Sequence, residues 1–434
     1  MAERNAYAVL GLKKGASEQD IKIAFVELVK KYDPEVHTER YLVIQEAYNK
    51  LKDAKKRAKE DILTFNVIDG HYLFSDEEKI SEDKSPSDSD VQDARNQYKA
   101  AGGDSAAKEK LTRLLMQKSY LLTRRQMWGD AISCWEDIQS IDPTNVRARN
   151  NLMFACVTLG LSYALHSLFE ESLEIWEKAL ELNPDHVDLI HNLALASDRS
   201  KDYERGTKYW NEATSRWKKA LNQDPENEYL KAMLIETHRY MSERDHDPRR
   251  SSKSSESVRK VPTQNIEHYR EVLSLKPDDF EAQYRIANSL MEEKRYSEAV
   301  KELLELSNKH PKNVEVLNML GWAYLNSGEI ESGFDTWNKA LTLDPKNNQA
   351  KENIVRAHLA LGKQFRTKGM FTPALIHLKK LLRYTKSAEV FMEIAATYDM
   401  KGDKRSAKQA YEQVLVFDKN HKQARKALTD LKMR

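Results

Sequence analysis

Apolar residues along most of this chain recur three and four positions apart, which is the spacing of one face of an α-helix. Residues 314–345 show this pattern twice, before and after Gly328. We find no convincing run in which apolar and polar residues alternate at every second position, the pattern of a half-buried β-strand. The pattern therefore predicts an all-α fold made of paired helices.

Proline residues end many of these helices at regular intervals, because a proline ring cannot continue a helix. They are Pro143, Pro184, Pro225, Pro277, Pro311 and Pro345. The last three are 34 residues apart and the first three are 41 residues apart. The additional seven residues equal about two helical turns, so a helix lengthened by them keeps its apolar face in the same direction. We interpret the chain as an array of repeated helix hairpins.

The second helix of each hairpin carries a small residue followed four positions later by a large one. Such a pair lets a ridge of one helix pack into a groove of its neighbour. The pairs are Ala131 and Trp135, Ser172 and Trp176, Gly206 and Trp210, Ala299 and Leu303, Gly333 and Trp337, Ala374 and Leu378, and Ala407 and Tyr411. We predict that these tryptophans lie in the core.

Together, the 34-residue period and the packing pattern resemble the tetratricopeptide repeat family. The resemblance implies a right-handed helical solenoid that binds other proteins in its groove. The predicted boundaries are repeats at 104–225, a split repeat at 226–279 with a mobile loop at 243–261, further repeats at 280–421, and a C-terminal capping helix at 422–434.

Residues 1–66 resemble a J domain, the module of DnaJ-type co-chaperones. The resemblance rests on the opening AYAVLGL, on Ser17 as the N-cap of a second helix, on Tyr32 before a proline-containing loop, and on the helical run IQEAYNKLKD. It implies a small helical domain.

J domains carry His-Pro-Asp in the loop between the second and third helices and use it to stimulate ATP hydrolysis by DnaK-type chaperones. This chain departs from the family there, because its loop reads Asp33-Pro34-Glu35. A carboxylate cannot donate a hydrogen bond as an imidazole does. We therefore expect the fold to be kept and the stimulation to be lost or weak. The candidate residues of this module are the loop Asp33, Pro34 and Glu35 and the lysines of the second helix, Lys22, Lys30 and Lys31.

Residues 67–103 are predicted to be a linker. From Ser75 onward they are acidic, rich in serine and poor in apolar residues. The preceding run FNVIDGHYLF, residues 65–74, is apolar, and we expect it to pack against one of its two neighbours.

Composition narrows the function classes. The formal net charge of +2 is too small to indicate nucleic acid as the main partner. Two cysteines exclude a disulfide framework and fit a reducing compartment. Neither a secretory signal nor an apolar run long enough to span a bilayer is expected, so a cytoplasmic location is predicted. Histidines and cysteines lack metal-binding spacing, and no phosphate loop or nucleophile motif occurs. We expect no cofactor, no metal, no small-molecule substrate and no enzyme activity.

Partner-binding candidates lie on the first helices of the repeats at 280–347. Aromatic and arginine side chains on a groove are plausible anchors for a bound peptide, although a groove wall built for packing is an equally good interpretation. The candidates are Tyr284, Arg285, Asn288, Asn318 and Trp322. The leading hypothesis is a protein-protein adaptor whose J-like module docks a second partner. The alternative is an active, specialised co-chaperone of a DnaK-type chaperone.

Overall fold

The computed structural model describes residues 6–12, 14, 16–68, 70–245 and 261–433, and all regular secondary structure in these ranges is helical, as predicted. The α-helices are α1 (Ala6–Leu10), α2 (Glu18–Lys31), α3 (Thr38–Leu51), α4 (Ala54–Asp61), α5 (Asp88–Ala100), α6 (Ser105–Arg124), α7 (Trp128–Ile141), α8 (Val146–Leu165), α9 (Phe169–Leu182), α10 (Val187–Ser200), α11 (Tyr203–Gln223), α12 (Glu228–Asp245), α13 (Val261–Leu275), α14 (Phe280–Glu292), α15 (Tyr296–Lys309), α16 (Val314–Ser327), α17 (Ile330–Leu343), α18 (Asn348–Thr367), α19 (Phe371–Lys380), α20 (Ala388–Lys401), α21 (Lys404–Phe417) and α22 (Lys422–Met433). Short 3₁₀ turns occupy Glu82–Lys84 and Leu381–Arg383.

The chain forms two compact units, unit 1 at residues 1–241 and unit 2 at residues 242–434. Unit 1 contains α1 to α5 and three hairpins, α6/α7, α8/α9 and α10/α11. Unit 2 contains the hairpins α14/α15, α16/α17, α18/α19 and α20/α21, and α22 packs against α21. Most of the loop predicted at 243–261 lies outside the described residues.

In three hairpins a large side chain of the second helix packs against a glycine of the first helix. Trp176 of α9 lies against Gly160 of α8, and Trp337 of α17 lies against Gly321 of α16. Both tryptophans are fully buried, and each indole N–H donates to a main-chain oxygen of the first helix, Trp337 to Asn318 at 3.0 Å. The predicted core role of these tryptophans is confirmed.

The longer repeats contain longer helices. α16 and α17 have 14 residues each, whereas α8 has 20 and α11 has 21. The additional turns therefore lie in the first helix of one repeat and in the second helix of another. In both, the apolar face stays on one side because about two turns were added.

The N-terminal helices form a separate small core. Helices α1 and α2 pack on α3, and Tyr7, Leu10, Ile21 and Ile44 are buried between them. The helix α2 begins at a capping box in which the Ser17 hydroxyl accepts from the Asp20 N–H. The sequence-based N-cap at Ser17 is thus found in the structure.

The predicted linker at 67–103 differs from the structure. Its second half contains α5, which begins at a capping box at Ser87 and packs on α6 through the buried Val91 and Ala94. The acidic composition hid this helix, because a narrow apolar stripe suffices for a helix that covers the end of an array.

We predict that Gly160→Ala lowers the free energy of unfolding by about 1–3 kcal/mol, because an added Cβ would lie 2.5 Å from the Trp176 ring. Gly129→Ala is the matched control, since a Cβ there meets nothing within 4 Å. Urea denaturation followed by tryptophan fluorescence measures both. Equal stability of the two variants would contradict the packing described here.

Candidate functional site

Residues 65–68 and 70–74, here called the groove segment, have neither helix nor strand and pack on the hairpins of unit 1. The Phe65 ring centroid lies 5.6 Å from that of Trp176. Tyr72 stacks on Trp135 at 5.6 Å, and Phe74 lies edge-on to Tyr120 at 5.2 Å. The expectation that this apolar run packs against a neighbour is met: it packs against the repeats.

Two asparagines of the first helices bind the main chain of the groove segment. Asn151 of α8 accepts from the Leu73 N–H at 2.7 Å and donates to the Leu73 carbonyl at 3.1 Å. Asn192 of α10 pairs with Asn66 in the same way, at 2.6 and 2.9 Å. Each amide satisfies both main-chain groups of one residue. The arrangement holds a non-helical chain whatever its side chains are.

His191 fastens the beginning of the segment. Its ring is fully buried, Nε2 lies 3.2 Å from the Ile62 carbonyl oxygen, and Nδ1 lies 3.3 Å from the Asn66 side-chain nitrogen. Burial, together with the positive charge of Lys14, lowers the pKa of His191 to about 3. The imidazole is therefore neutral, with the proton on Nε2 donated to Ile62 and Nδ1 accepting from Asn66.

A buried carboxylate joins the N-terminal module to α12. Both Tyr7 and Tyr229 donate to Asp61 Oδ2 at 2.6 Å, and Asp61 is 3% exposed. Burial raises the pKa of Asp61, and burial lowers the pKa of Lys14, whose ammonium donates to the Asp61 carbonyl, to about 8. The Arg57 guanidinium lies 4.2 Å from the Tyr229 ring centroid, at cation-π distance.

The Asp33-Pro34-Glu35 loop is exposed, in contrast to Asp61. The Asp33 carboxylate accepts from the Glu35 N–H at 2.8 Å, and the Asp33 carbonyl accepts from the His37 N–H at 2.8 Å. The carboxylate is thus engaged in a local turn. The predicted lysines Lys22, Lys30 and Lys31 are all exposed on α2.

The predicted binding residues of unit 2 lie on two neighbouring first helices. On α14, the Tyr284 hydroxyl donates to Glu315 of α16 at 2.9 Å, whereas Arg285 and Asn288 bind acidic residues of their own helix. The hydrogen bond of Tyr284 reaches the next hairpin, and those of Arg285 and Asn288 stay within α14.

On α16, Asn318 is 4% exposed, and its amide nitrogen lies 3.3 Å from Asn347 Oδ1. Trp322 is half-buried and lies edge-on to Trp337 at 5.2 Å. The two candidates of this helix thus combine a buried amide with a partly accessible ring.

The asparagine pair was missed from the sequence, although a pattern marks it. Asn151 and Asn192 each lie eight residues after the proline that ends the preceding repeat, and so does Asn353. A polar residue at a fixed repeat position is a binding candidate when its neighbours are apolar. The Asp61 cluster carried no comparable pattern, because its members come from distant parts of unit 1.

Among the described residues, no three His, Cys, Asp or Glu side chains lie close enough together to hold a metal ion. Burial raises the pKa of the free thiols of Cys134 and Cys156 to about 11 and about 12. Both thiols therefore stay protonated and poorly nucleophilic. Among the helices described, none is long and apolar enough to cross a bilayer.

Comparison with known families matches a DnaJ domain at residues 5–61 and tetratricopeptide repeats at 264–323 and 314–347. Chaperone protein DnaJ from Bacillus cereus and that from Bacillus anthracis are each 47% identical over 66 residues, which is 14% of this chain. The chain spans 18% of the length of these relatives. Both modules are protein-interaction modules and not enzymes.

Among solved structures, MamA is 20% identical, with a TM-score of 0.26 over 42% of this chain and 92% of its own. The Cut9-Hcn1 structure is 17% identical, with a TM-score of 0.25 over 95% of this chain and 72% of its own.

We predict that Asn151→Ala opens the groove segment, because the N–H and carbonyl of Leu73 lose their hydrogen bonds to the Asn151 amide. Loss of the pair should cost about 1–2 kcal/mol, which speeds hydrogen exchange at residues 65–74 about 5- to 30-fold. Asn353→Ala is the matched control, since that amide nitrogen has no partner among the described residues. Unchanged exchange in Asn151→Ala would contradict the pairing.

We also predict that acid releases the segment. The unfolded imidazole of His191 takes up a proton below pH 6.5 and the folded one only near pH 3, so stability is lost as the pH falls through this window. Hydrogen exchange at residues 65–74, measured between pH 7 and pH 4 and corrected for the intrinsic rate, tests this. His191→Gln should depend less on pH, and an equal dependence in both proteins would refute the role of His191.

Proposed function

We propose that this chain, which carries a DnaJ domain followed by tetratricopeptide repeats, is a protein-protein adaptor. Its repeats would bind a segment of one partner, and its J module would dock a second partner without stimulating a DnaK-type ATPase. A cytoplasmic location goes with this function, in keeping with two free, buried thiols.

The observation that carries the proposal is the groove segment itself. Asn151 and Asn192 already hold a non-helical stretch of chain by its main chain, and aromatic side chains line its path. First helices of this construction can therefore bind extended segments, which is the recognition mode that an adaptor needs. Tyr284, Arg285, Asn288, Asn318 and Trp322 stay the candidates for a partner in unit 2.

The J module supports the second half of the proposal. Its Asp61 side is buried against α12, whereas Lys22, Lys30 and the 33–35 loop are exposed and available to a partner. The loop lacks an imidazole, and its Asp33 carboxylate is bound to the Glu35 N–H. A carboxylate can accept a hydrogen bond but cannot donate one as an imidazole does.

The same exposure favours the alternative, an active co-chaperone of a specialised DnaK-type partner. A module that is fastened on one side and open at the loop has the access that ATPase stimulation requires. The two hypotheses differ only in what the loop does to the bound chaperone.

We predict that the full chain does not stimulate single-turnover ATP hydrolysis by a DnaK-type chaperone from the same organism. The double variant Asp33→His with Glu35→Asp restores the family triplet and should stimulate hydrolysis, which also shows that the chosen chaperone responds. Stimulation by the unaltered chain that disappears in Pro34→Ala would favour the co-chaperone instead.

We predict that partner capture by the full chain falls in Trp322→Ala and persists in Pro34→Ala. Leu343→Ala, an exposed apolar position on the second helix α17, is the matched control. Affinity purification with quantitative mass spectrometry measures the loss. Capture that is insensitive to Trp322 would remove it from the candidate site.

A further inference from the structure

Part of unit 2 repeats the helix boundaries of part of unit 1 at a constant offset. The helices α7 and α8 span Trp128–Ile141 and Val146–Leu165. The helices α17 and α18 span Ile330–Leu343 and Asn348–Thr367, so all four boundaries recur 202 residues later. The helices α8 and α18 each have 20 residues and an asparagine as N-cap. Gly362 of α18 lies against Leu378 as Gly160 of α8 lies against Trp176.

In this register Asn353 is the counterpart of Asn151. Asn353 is 4% exposed, and its amide nitrogen is buried without a hydrogen-bond partner in the described residues. On α16 the amide oxygen of Asn318 is also buried and unpartnered there. Buried polar groups are nearly always hydrogen-bonded, so such an exception calls for an explanation. In unit 1 the counterpart amide is satisfied by the main chain of Leu73.

The position of Tyr120 in unit 1 is also occupied by an aromatic residue in unit 2. Phe74 follows the residue that Asn151 binds and lies edge-on to Tyr120. Trp322 is 202 residues after Tyr120 and is half-buried against Trp337. A ring on a bound segment, one residue after the paired one, would meet Trp322 as Phe74 meets Tyr120.

The groove segment of this chain does not suit the same position in unit 2. In unit 1 the Tyr72 ring lies 4.9 Å from Phe154 and 5.9 Å from Trp128. The counterparts are Arg356 and Ile330, and Arg356 is paired with Glu352 at 3.4 Å on the surface. Two aromatic contacts are thereby lost, and an exposed ion pair takes the place of apolar surface. This loss favours a segment of another protein as the occupant over residues 70–74 of this chain.

We propose that Asn353 binds the main-chain N–H and carbonyl of one residue in a non-helical segment of a partner protein, and that an aromatic side chain of this segment packs on Trp322. This site rests on the proposed adaptor function and names where and how the partner is held. Because Asn353 pairs with the main chain, the site tolerates many partner sequences. The contact with Trp322 gives it a preference for an aromatic side chain.

The test uses the full chain and a displayed library of linear 12-residue peptides that contain one fixed phenylalanine. The best selected peptide, labelled with fluorescein, is titrated by fluorescence polarisation. Asn353→Ala should weaken its binding about tenfold or more, because two hydrogen bonds in a partly buried site are lost. Asn348→Ala, an exposed asparagine of the same helix, is the matched control and should leave binding unchanged.

A second readout separates main-chain pairing from a general effect on packing. N-methylation of each peptide residue in turn should weaken binding about tenfold at the one residue that Asn353 pairs with, and phenylalanine replacement by alanine should weaken it in parallel with Trp322→Ala. Failure to select any peptide, or binding that is insensitive to Asn353, overturns the site. So does equal competition by a peptide of residues 70–80, which would identify a second copy of this chain as the occupant.

The outcomes also separate this site from the adaptor function. Capture of partner proteins that persists in Asn353→Ala refutes the site and leaves the adaptor function standing. Absence of any specific partner for the unaltered chain refutes the adaptor function, and the site with it.

Discussion

Unit 1 depends on how the main chain of the groove segment finds hydrogen-bond partners. A stretch without helix or strand carries donors and acceptors that must find partners when they are covered. The amides of Asn151 and Asn192 supply them for Leu73 and Asn66, and a neutral His191 supplies another at Ile62. Without these groups the aromatic side chains of the segment could still bury apolar area, but their positions along the repeats would not be fixed.

The repeats present such groups at equivalent positions because the two helices of a hairpin pack closely where they cross. Gly160 and Gly321 each leave room for a tryptophan ring at the helix crossing. The indole N–H of that tryptophan donates a hydrogen bond to a main-chain carbonyl of the first helix. Successive first helices then present equivalent positions to a bound chain. A repeat lengthened by seven residues keeps this register, because about two turns return the helix to the same face.

The buried carboxylate of Asp61 has a different consequence. It accepts from Tyr7 of α1 and Tyr229 of α12, so the N-terminal module and the last helix to begin in unit 1 share one polar centre. Burial raises the pKa of this carboxyl group, which means that the two tyrosines and the nearby cations offset much but not all of its desolvation. The module is therefore fastened by one side, and its 33–35 loop remains exposed.

The sequence by itself determined the helical class, the hairpin repeats, the small-to-large packing positions and the J-like module, because each is written in local spacing along the chain. Ser17 and the four tryptophans were predictable one by one for this reason. Only the tertiary structure decided where the apolar run 65–74 packs and that α5 covers α6, since both depend on surfaces that other repeats provide. It also decided that Tyr229 meets Asp61, a contact across 168 residues of chain that no local pattern encodes.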